Sequence, residues 1–336
     1  MIRAITSQPP RSAFARFSAG TPPRFLLTVD TEEEFDWDQP LSRERHGLDH
    51  LSRLAKFQEF CENQQVVPVY LVDWPVAQSP LAAEILRGPL ADGRAEIGVQ
   101  LHPWVNPPFE EQVCQHNSFA GNLPRELERA KLLSLRDAIE TNFGVAPRIY
   151  RAGRYGTGPN TAELLREAGI AIDTSVRSLF DYSAAGGPNY RQHPLHPYWL
   201  DDAKSLLELP LTTTFWGLLR KQGPFLYPAL WRAPRLRGLL ARIGLLERIP
   251  LTPEGVAVAE AIRGIDMALD AGLPMLVLSF HSPSICPGFT PYVRTEDDLD
   301  QLYDWWRRIF SYLRQRGVQP TTVAGVLRSV DGRPAA

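Results

Sequence analysis

Cysteine is scarce and scattered in this chain: Cys61, Cys114 and Cys286 lie far apart among 336 residues. Odd in number and without close spacing, they form neither a disulfide framework nor a thiolate zinc site, which fits a reducing compartment. Long apolar runs are missing too, since no stretch approaches the roughly 20 residues that span a bilayer. Met1 to Pro23 holds scattered arginines but no apolar signal region, so it reads as a loosely ordered leader on a cytoplasmic protein. Excess charge is absent as well. A net charge of −2 gives no reason to expect nucleic acid or another strongly charged partner. There is no internal repeat and no low-complexity tract. Proline, by contrast, is abundant, with 30 residues crowded between the predicted elements, and predicts long structured loops.

The remaining pattern is an alternation of apolar strands and amphipathic helices. Strands are predicted at 25–29, 66–72, 95–101, 147–150, 170–176, 206–212 and 275–280, and helices at 48–64, 123–143, 160–168 and 256–271. Ser79-Pro80 supplies a helix start, and Gly144 a helix stop. Leu299, Leu302, Trp306, Ile309 and Leu313 form an apolar stripe at helical spacing. Seven or eight repeats of this order predict an α/β fold with a parallel sheet, closed or nearly closed into a barrel. Residues 24–330 read as one such domain. Two segments, about 177–204 and 213–253, are too long for turns and read as insertions near the site.

The most informative stretch is Phe25 to Trp37. A buried strand runs into Asp30, Glu32, Glu33, Glu34 and Asp36, five carboxylates in seven residues. Their repulsion requires a bound cation or a cationic side chain arriving from another strand. Strand ends are also where parallel α/β folds carry their chemistry. Asp30 and Glu32, and likewise Gln100 and His102, stand two residues apart and so share one side of an extended chain. Arg151 follows the fourth strand. His281 directly follows the strand at 275–280, a poor place for a core residue and a good one for an acid or base.

Taken in order, these segments resemble the motifs of the polysaccharide deacetylases, the family-4 carbohydrate esterases, and within them a branch associated with bacterial surface-polysaccharide clusters. Thr28-Val-Asp30-Thr-Glu32, Glu96-Ile-Gly-Val-Gln100-Leu-His102, Tyr150-Arg151-Ala-Gly-Arg-Tyr155, Asp173-Thr-Ser-Val and Leu278-Ser-Phe-His281 follow the family order. The resemblance implies a distorted (β/α) barrel of seven or eight strands. It implies a hydrolase that removes an N-acetyl group from an amino sugar of a polysaccharide or its lipid-linked precursor. Asp30 is then the base, Arg151 its orienting partner and His281 the general acid. The usual metal-binding histidine pair is replaced by Gln100 and Trp104, so a divalent ion, zinc foremost, would rest on Glu32, His102 and Asp30. Gln100, Trp104 and Tyr155 fall to the substrate. Trp37, Trp74 and Trp104 follow strand ends, where their faces suit the C–H face of a sugar ring.

Other residues carry weaker expectations. His116 is a further ligand candidate, whereas His46, His50, His193 and His196 read as solvated, and Cys114 as inert. The segment 218–249 carries Arg220, Lys221, Arg232, Arg235, Arg237, Arg242 and Arg248 against Glu247 alone. It reads as an inserted lid or as a peripheral contact with an anionic membrane. Two other functions use the same residues. A metal-independent amidohydrolase of a small molecule is allowed by the missing histidines. A non-catalytic glycan-binding protein of an assembly complex would not need Asp30, Arg151 and His281 together.

Overall fold

The structure is a computed structural model and describes residues 2–18, 20–35, 39–231 and 233–330. Its strands are β1 (Arg24–Thr31), β2 (Pro68–Val72), β3 (Glu96–Leu101), β4 (Ile149–Ala152), β5 (Ile172–Asp173), β6 (Tyr198–Trp199), β7 (Leu207–Glu208), β8 (Thr213–Trp216), β9 (Glu247–Pro250), β10 (Met275–His281) and β11 (Gln319–Pro320). Its helices are α1 (Leu54–Asn63), α2 (Trp74–Ala77), α3 (Pro80–Ala91), α4 (Arg125–Phe143), α5 (Thr161–Glu167), α6 (Gly223–Trp231), α7 (Pro234–Arg242), α8 (Val258–Asp270), α9 (Glu296–Gln315) and α10 (Val323–Ser329). Among the described residues no helix is long and apolar enough to cross a membrane.

The main sheet runs β10-β1-β2-β3-β4-β5-β7-β6, with β11 beside β1. All of its pairings are parallel except β6 on β7. Beyond β7 the chain turns back to β10. Thr212 N donates to Val277 O at 3.3 Å, and Ser279 N donates to Leu251 O at 3.2 Å. The distorted barrel expected from the sequence is therefore present, with the segment around Thr212 and Leu251 closing it.

Strand parity sorts the core. In β1, Phe25, Leu27 and Val29 pack toward the surrounding helices. Leu26 joins an inner cluster with Val69, Leu71, Ile149 and Val277, sealed at one end by Val323, Val326 and Leu327 of α10. Along the Leu26 side, Thr28 and Asp30 come next, so the lumen passes from apolar to polar at the carboxyl ends of the strands. The α9 stripe is buried as its spacing predicts, and Trp306 packs against both Phe280 and Phe310. Thr295 caps α9: its hydroxyl accepts from Asp298 N at 3.2 Å, a contact worth about 1 kcal/mol.

Several expectations are corrected here. The leader is not loose. Ile5 is fully buried, Arg3 N donates to Leu200 O, and Phe14 bridges to Tyr198. His193, expected in water, is buried within 3.0 Å of Ile5 O. The expected strand at 170–176 is only two residues long in its regular part, Ile172–Asp173.

Candidate active site

Asp30 and His281 are register neighbours at the ends of β1 and β10. Arg151 lies on β4, three strands from β1, and at roughly 4.8 Å per strand a flat sheet would keep them apart. The curl of the barrel brings the guanidinium across the lumen. One of its nitrogens bonds Asp30 Oδ1, another donates to Thr28 Oγ1 at 2.9 Å, and Nε donates to Thr174 O at 3.1 Å. Arg151 and Asp30 are both nearly fully buried. A buried ion pair is tolerable only when its remaining hydrogen-bonding capacity is met, and Thr28 and Thr174 do this for the guanidinium. The cationic side chain that the acidic strand end required is thus Arg151.

The other oxygen of Asp30 lies 3.9 Å from His281 Nε2. His281 Nδ1 is 2.7 Å from Glu254 Oε2, and Glu254 Oε1 accepts from His281 N at 3.1 Å and from Ser284 Oγ at 2.7 Å. Burial works against a charged imidazole. The carboxylate of Glu254, then those of Glu32 and Asp30, outweigh it and bring His281 up to about 10. Burial alone would raise Glu254, but His281 and Ser284 hold it below the usual carboxylate range. Glu254 was not found from the sequence. It sits in a loop, Thr252-Pro-Glu254-Gly, with no periodicity to aim it.

Glu254→Gln removes the strongest of the contributions that raise His281. Its pKa is therefore expected to fall from about 10 toward the ordinary value near 6.5. An NMR titration of the ring reads the change directly, and an unmoved titration would deny Glu254 this role.

The expected metal trio does not close up. Among the described residues, the group of potential ligands that converges is Glu33, Asp73 and His102. Its atoms are already engaged. Glu33 Oε2 is 2.8 Å from His102 Nδ1, Glu33 Oε1 accepts from Trp104 Nε1 at 2.8 Å, and Asp73 Oδ2 accepts from Glu33 N at 2.7 Å. Asp73 Oδ1 caps α2 through Val76 N at 3.0 Å. Burial pushes both carboxyls upward, Asp73 further through its neighbour Glu33. This trio acts as a brace for His102. Trp104 stacks on the His102 ring with centroids 4.4 Å apart, and Gly153 backs it. A Cβ at Gly153 would come within 2.4 Å of the ring, so only glycine fits there.

The brace leaves His102 Nε2 facing the cavity, 3.4 Å from Glu32 Oε2. Gln100 Nε2 donates to Glu32 Oε2 at 2.8 Å, while Gln100 Oε1 is buried with no hydrogen-bond partner among the described residues. Burial raises Glu32 to about 8 against the pull of His281 and His102. One imidazole nitrogen, one carboxylate and one unengaged amide oxygen form a donor set that fits a borderline divalent ion. A carboxylate on Nδ1, here that of Glu33, is the usual support for such a ligand.

Asp30, Glu32, Gln100, His102, Arg151, Glu254 and His281 open on one cavity of about 730 Å³, lined also by Tyr155, Trp104, Cys114 and, unforeseen from the sequence, Arg154, Arg177 and Tyr182. Trp74 and His116 are not on its wall, and Trp37 lies outside the described residues. His50, expected in water, is fully buried. Its Nδ1 is 2.7 Å from Glu34 Oε1 and its Nε2 is 2.8 Å from Ser282 Oγ, which in turn accepts from Glu32 N at 3.3 Å.

No family model matches the chain, and no curated protein matches it. Solved structures do. It is similar to 4-alpha-glucanotransferase from Thermococcus litoralis, at 16% identity over 93% of this chain and 41% of that one, with a TM-score of 0.53. It is similar to a GH57 branching enzyme from the hyperthermophilic archaeon Thermococcus kodakaraensis, at 13% identity over 93% of this chain and 72% of that one, with a TM-score of 0.51. A peptidoglycan N-acetylglucosamine deacetylase also matches, at 11% identity over 95% and 94% of the two chains, with a TM-score of 0.44. At these identities the likeness to the first two establishes the barrel fold.

Proposed function

We propose that this chain is a hydrolase of the deacetylase type, removing an N-acetyl group from an amino sugar of a polysaccharide or its lipid-linked precursor. One observation carries the reading. Asp30, clamped by Arg151, stands 3.9 Å from the ring of His281, itself held by Glu254, and the pair faces a cavity of about 730 Å³. A binding protein has no need of a base and an acid so disposed. The Asp30 oxygen nearer His281 takes a proton from water as that water attacks the amide carbonyl. His281, charged at neutral pH, gives its Nε2 proton to the nitrogen as the C–N bond breaks, releasing acetate and the free amine. Tyr155 and Trp104 supply apolar surface for a sugar ring.

Glu32 and His102 Nε2 would hold a divalent ion, with the unpartnered Gln100 Oε1 as a further oxygen donor if the amide turned over. Such an ion supplies polarisation of the carbonyl and a more acidic water. The same observation supports a second reading. Gln100 Nε2 already lies between Glu32 and His102, and a metal-independent amidohydrolase would use that hydrogen bond as it stands.

Acetate and free-amine release from a panel of N-acetylated oligosaccharides tests the reaction. Release by the purified protein is expected, and none from any substrate would refute it. For the ion, chelation is expected to silence the enzyme and Zn²⁺, Mn²⁺ or Co²⁺ to restore it. Gln100→His is expected to tighten zinc binding in a competition titration. Full activity after chelation, with no metal found by elemental analysis, would select the metal-free reading.

A further inference from the structure

The segment between β8 and β9 has a surface unlike the rest of the molecule. From Leu218 to Ile243 it holds six basic residues, Arg220, Lys221, Arg232, Arg235, Arg237 and Arg242, and no Asp or Glu. Nine large hydrophobic side chains are exposed among the described residues, and six of them are here: Leu218, Phe225, Leu226, Leu236, Leu239 and Ile243. Leu218 is 78% exposed, Phe225 73% and Ile243 56%, values far above those of residues awaiting a place in the core.

These side chains are not left over from poor packing. The hairpin has its own small core of Phe215, Tyr227 and Leu246, with Leu179, Leu219 and Leu230 against it. Its inner face is satisfied, and the outer apolar face is additional. In α7 and at its C-cap, Leu236, Leu239 and Ile243 follow a spacing of three and four, so they share one face, and the exposed Arg235 and Arg242 border it. Each helix has nine residues, about 14 Å long. That is too short to span a bilayer but suits a helix lying at headgroup depth.

We propose that the α6–α7 hairpin is a docking surface for an anionic lipid bilayer. Charge complementarity selects this occupant. Two copies of the chain meeting through this face would oppose the exposed Arg220, Lys221, Arg235 and Arg242 to the same four residues, with no acid between Leu218 and Ile243 to offset them. An anionic headgroup layer offsets the charge while the leucines and Phe225 enter the acyl boundary. The hairpin rises from the ribbon of β8 and β9, whose Thr213 and Pro250 line the catalytic cavity. Docking therefore holds the cavity beside the membrane, where a lipid-linked saccharide is presented. The docking stands on the hairpin alone, and only this consequence rests on the proposed hydrolase activity.

Flotation of the full chain with vesicles tests it, using phosphatidylcholine alone and phosphatidylcholine with about one third phosphatidylglycerol. The protein is expected to float with the anionic vesicles at low salt and to be released by high salt. Arg220→Ser/Arg235→Ser/Arg242→Ser is expected to weaken partitioning about 100-fold. Phe225→Ser/Leu239→Ser/Ile243→Ser is expected to do so by at least about 10-fold, with the thermal unfolding of both variants unchanged. Absence of flotation by the parent protein, or flotation indifferent to both triple variants, would overturn the proposal. So would a dimer in sedimentation equilibrium that only the apolar variant dissolves, which would give the face to a second copy. If vesicles bind but no glycan is deacetylated, the docking survives and the hydrolase reading fails.

Discussion

Asp30→Asn is expected to reduce acetate release by about 10²–10⁴-fold or more. The amide keeps the volume and retains an oxygen for the Arg151 guanidinium, but it cannot take a proton from water. The structure adds a cost that the sequence alone did not indicate. Arg151 is 1% exposed and would face a neutral partner, so unfolding free energy should fall by on the order of 3–5 kcal/mol, the range for breaking a buried pair. Activity and denaturant unfolding must therefore be measured together at a temperature where the variant is folded. Near-normal turnover by the folded variant would remove Asp30 from the role of base.

His281→Ala is expected to lower kcat by about 10²–10⁴-fold with little change in KM, because the ring acts on the leaving nitrogen. A loss confined to KM would instead make His281 a binding residue. The pH dependence has a defined sign. The folded-state pKa of about 10 lies above the ordinary 6.5, so the charged His281–Glu254 pair contributes its full stability below about 6.5 and loses it as pH rises through about 10. The basic limb of kcat should fall in the same region for the parent protein, and at lower pH for Glu254→Gln.

Much of this was legible because β-strands impose a period of two. Once Phe25 to Val29 is a buried strand entering a polar loop, Asp30 must stand at its end. Gln100 and His281 are placed in the same way by β3 and β10, and the α9 stripe follows from the helical period. The sequence also required a cation for the acidic strand end. Which cation it was depended on the curvature of the sheet, since Arg151 reaches Asp30 from three strands away.

Legibility failed where regular structure ends. β1 stops at Thr31, and beyond it the turn sends Glu32 into the cavity, Glu33 behind His102 and Glu34 to His50. Three adjacent acids of one type receive three tasks, and nothing in their spacing ranks them. Glu254 and Arg177 sit in loops, where position is set by the packing of distant segments and carries no periodic signal. His50 and His193 are polar residues in polar surroundings by sequence, yet each is buried against a partner far along the chain. The sequence by itself determined the barrel, the strand-end positions of Asp30, Arg151 and His281, and the basic apolar character of the hairpin segment, because local periodicity and composition are properties of neighbours. The tertiary structure alone decided which carboxylate holds which histidine. Those contacts join different elements, Glu33 to His102 across 69 positions among them, and depend on the closure of the sheet.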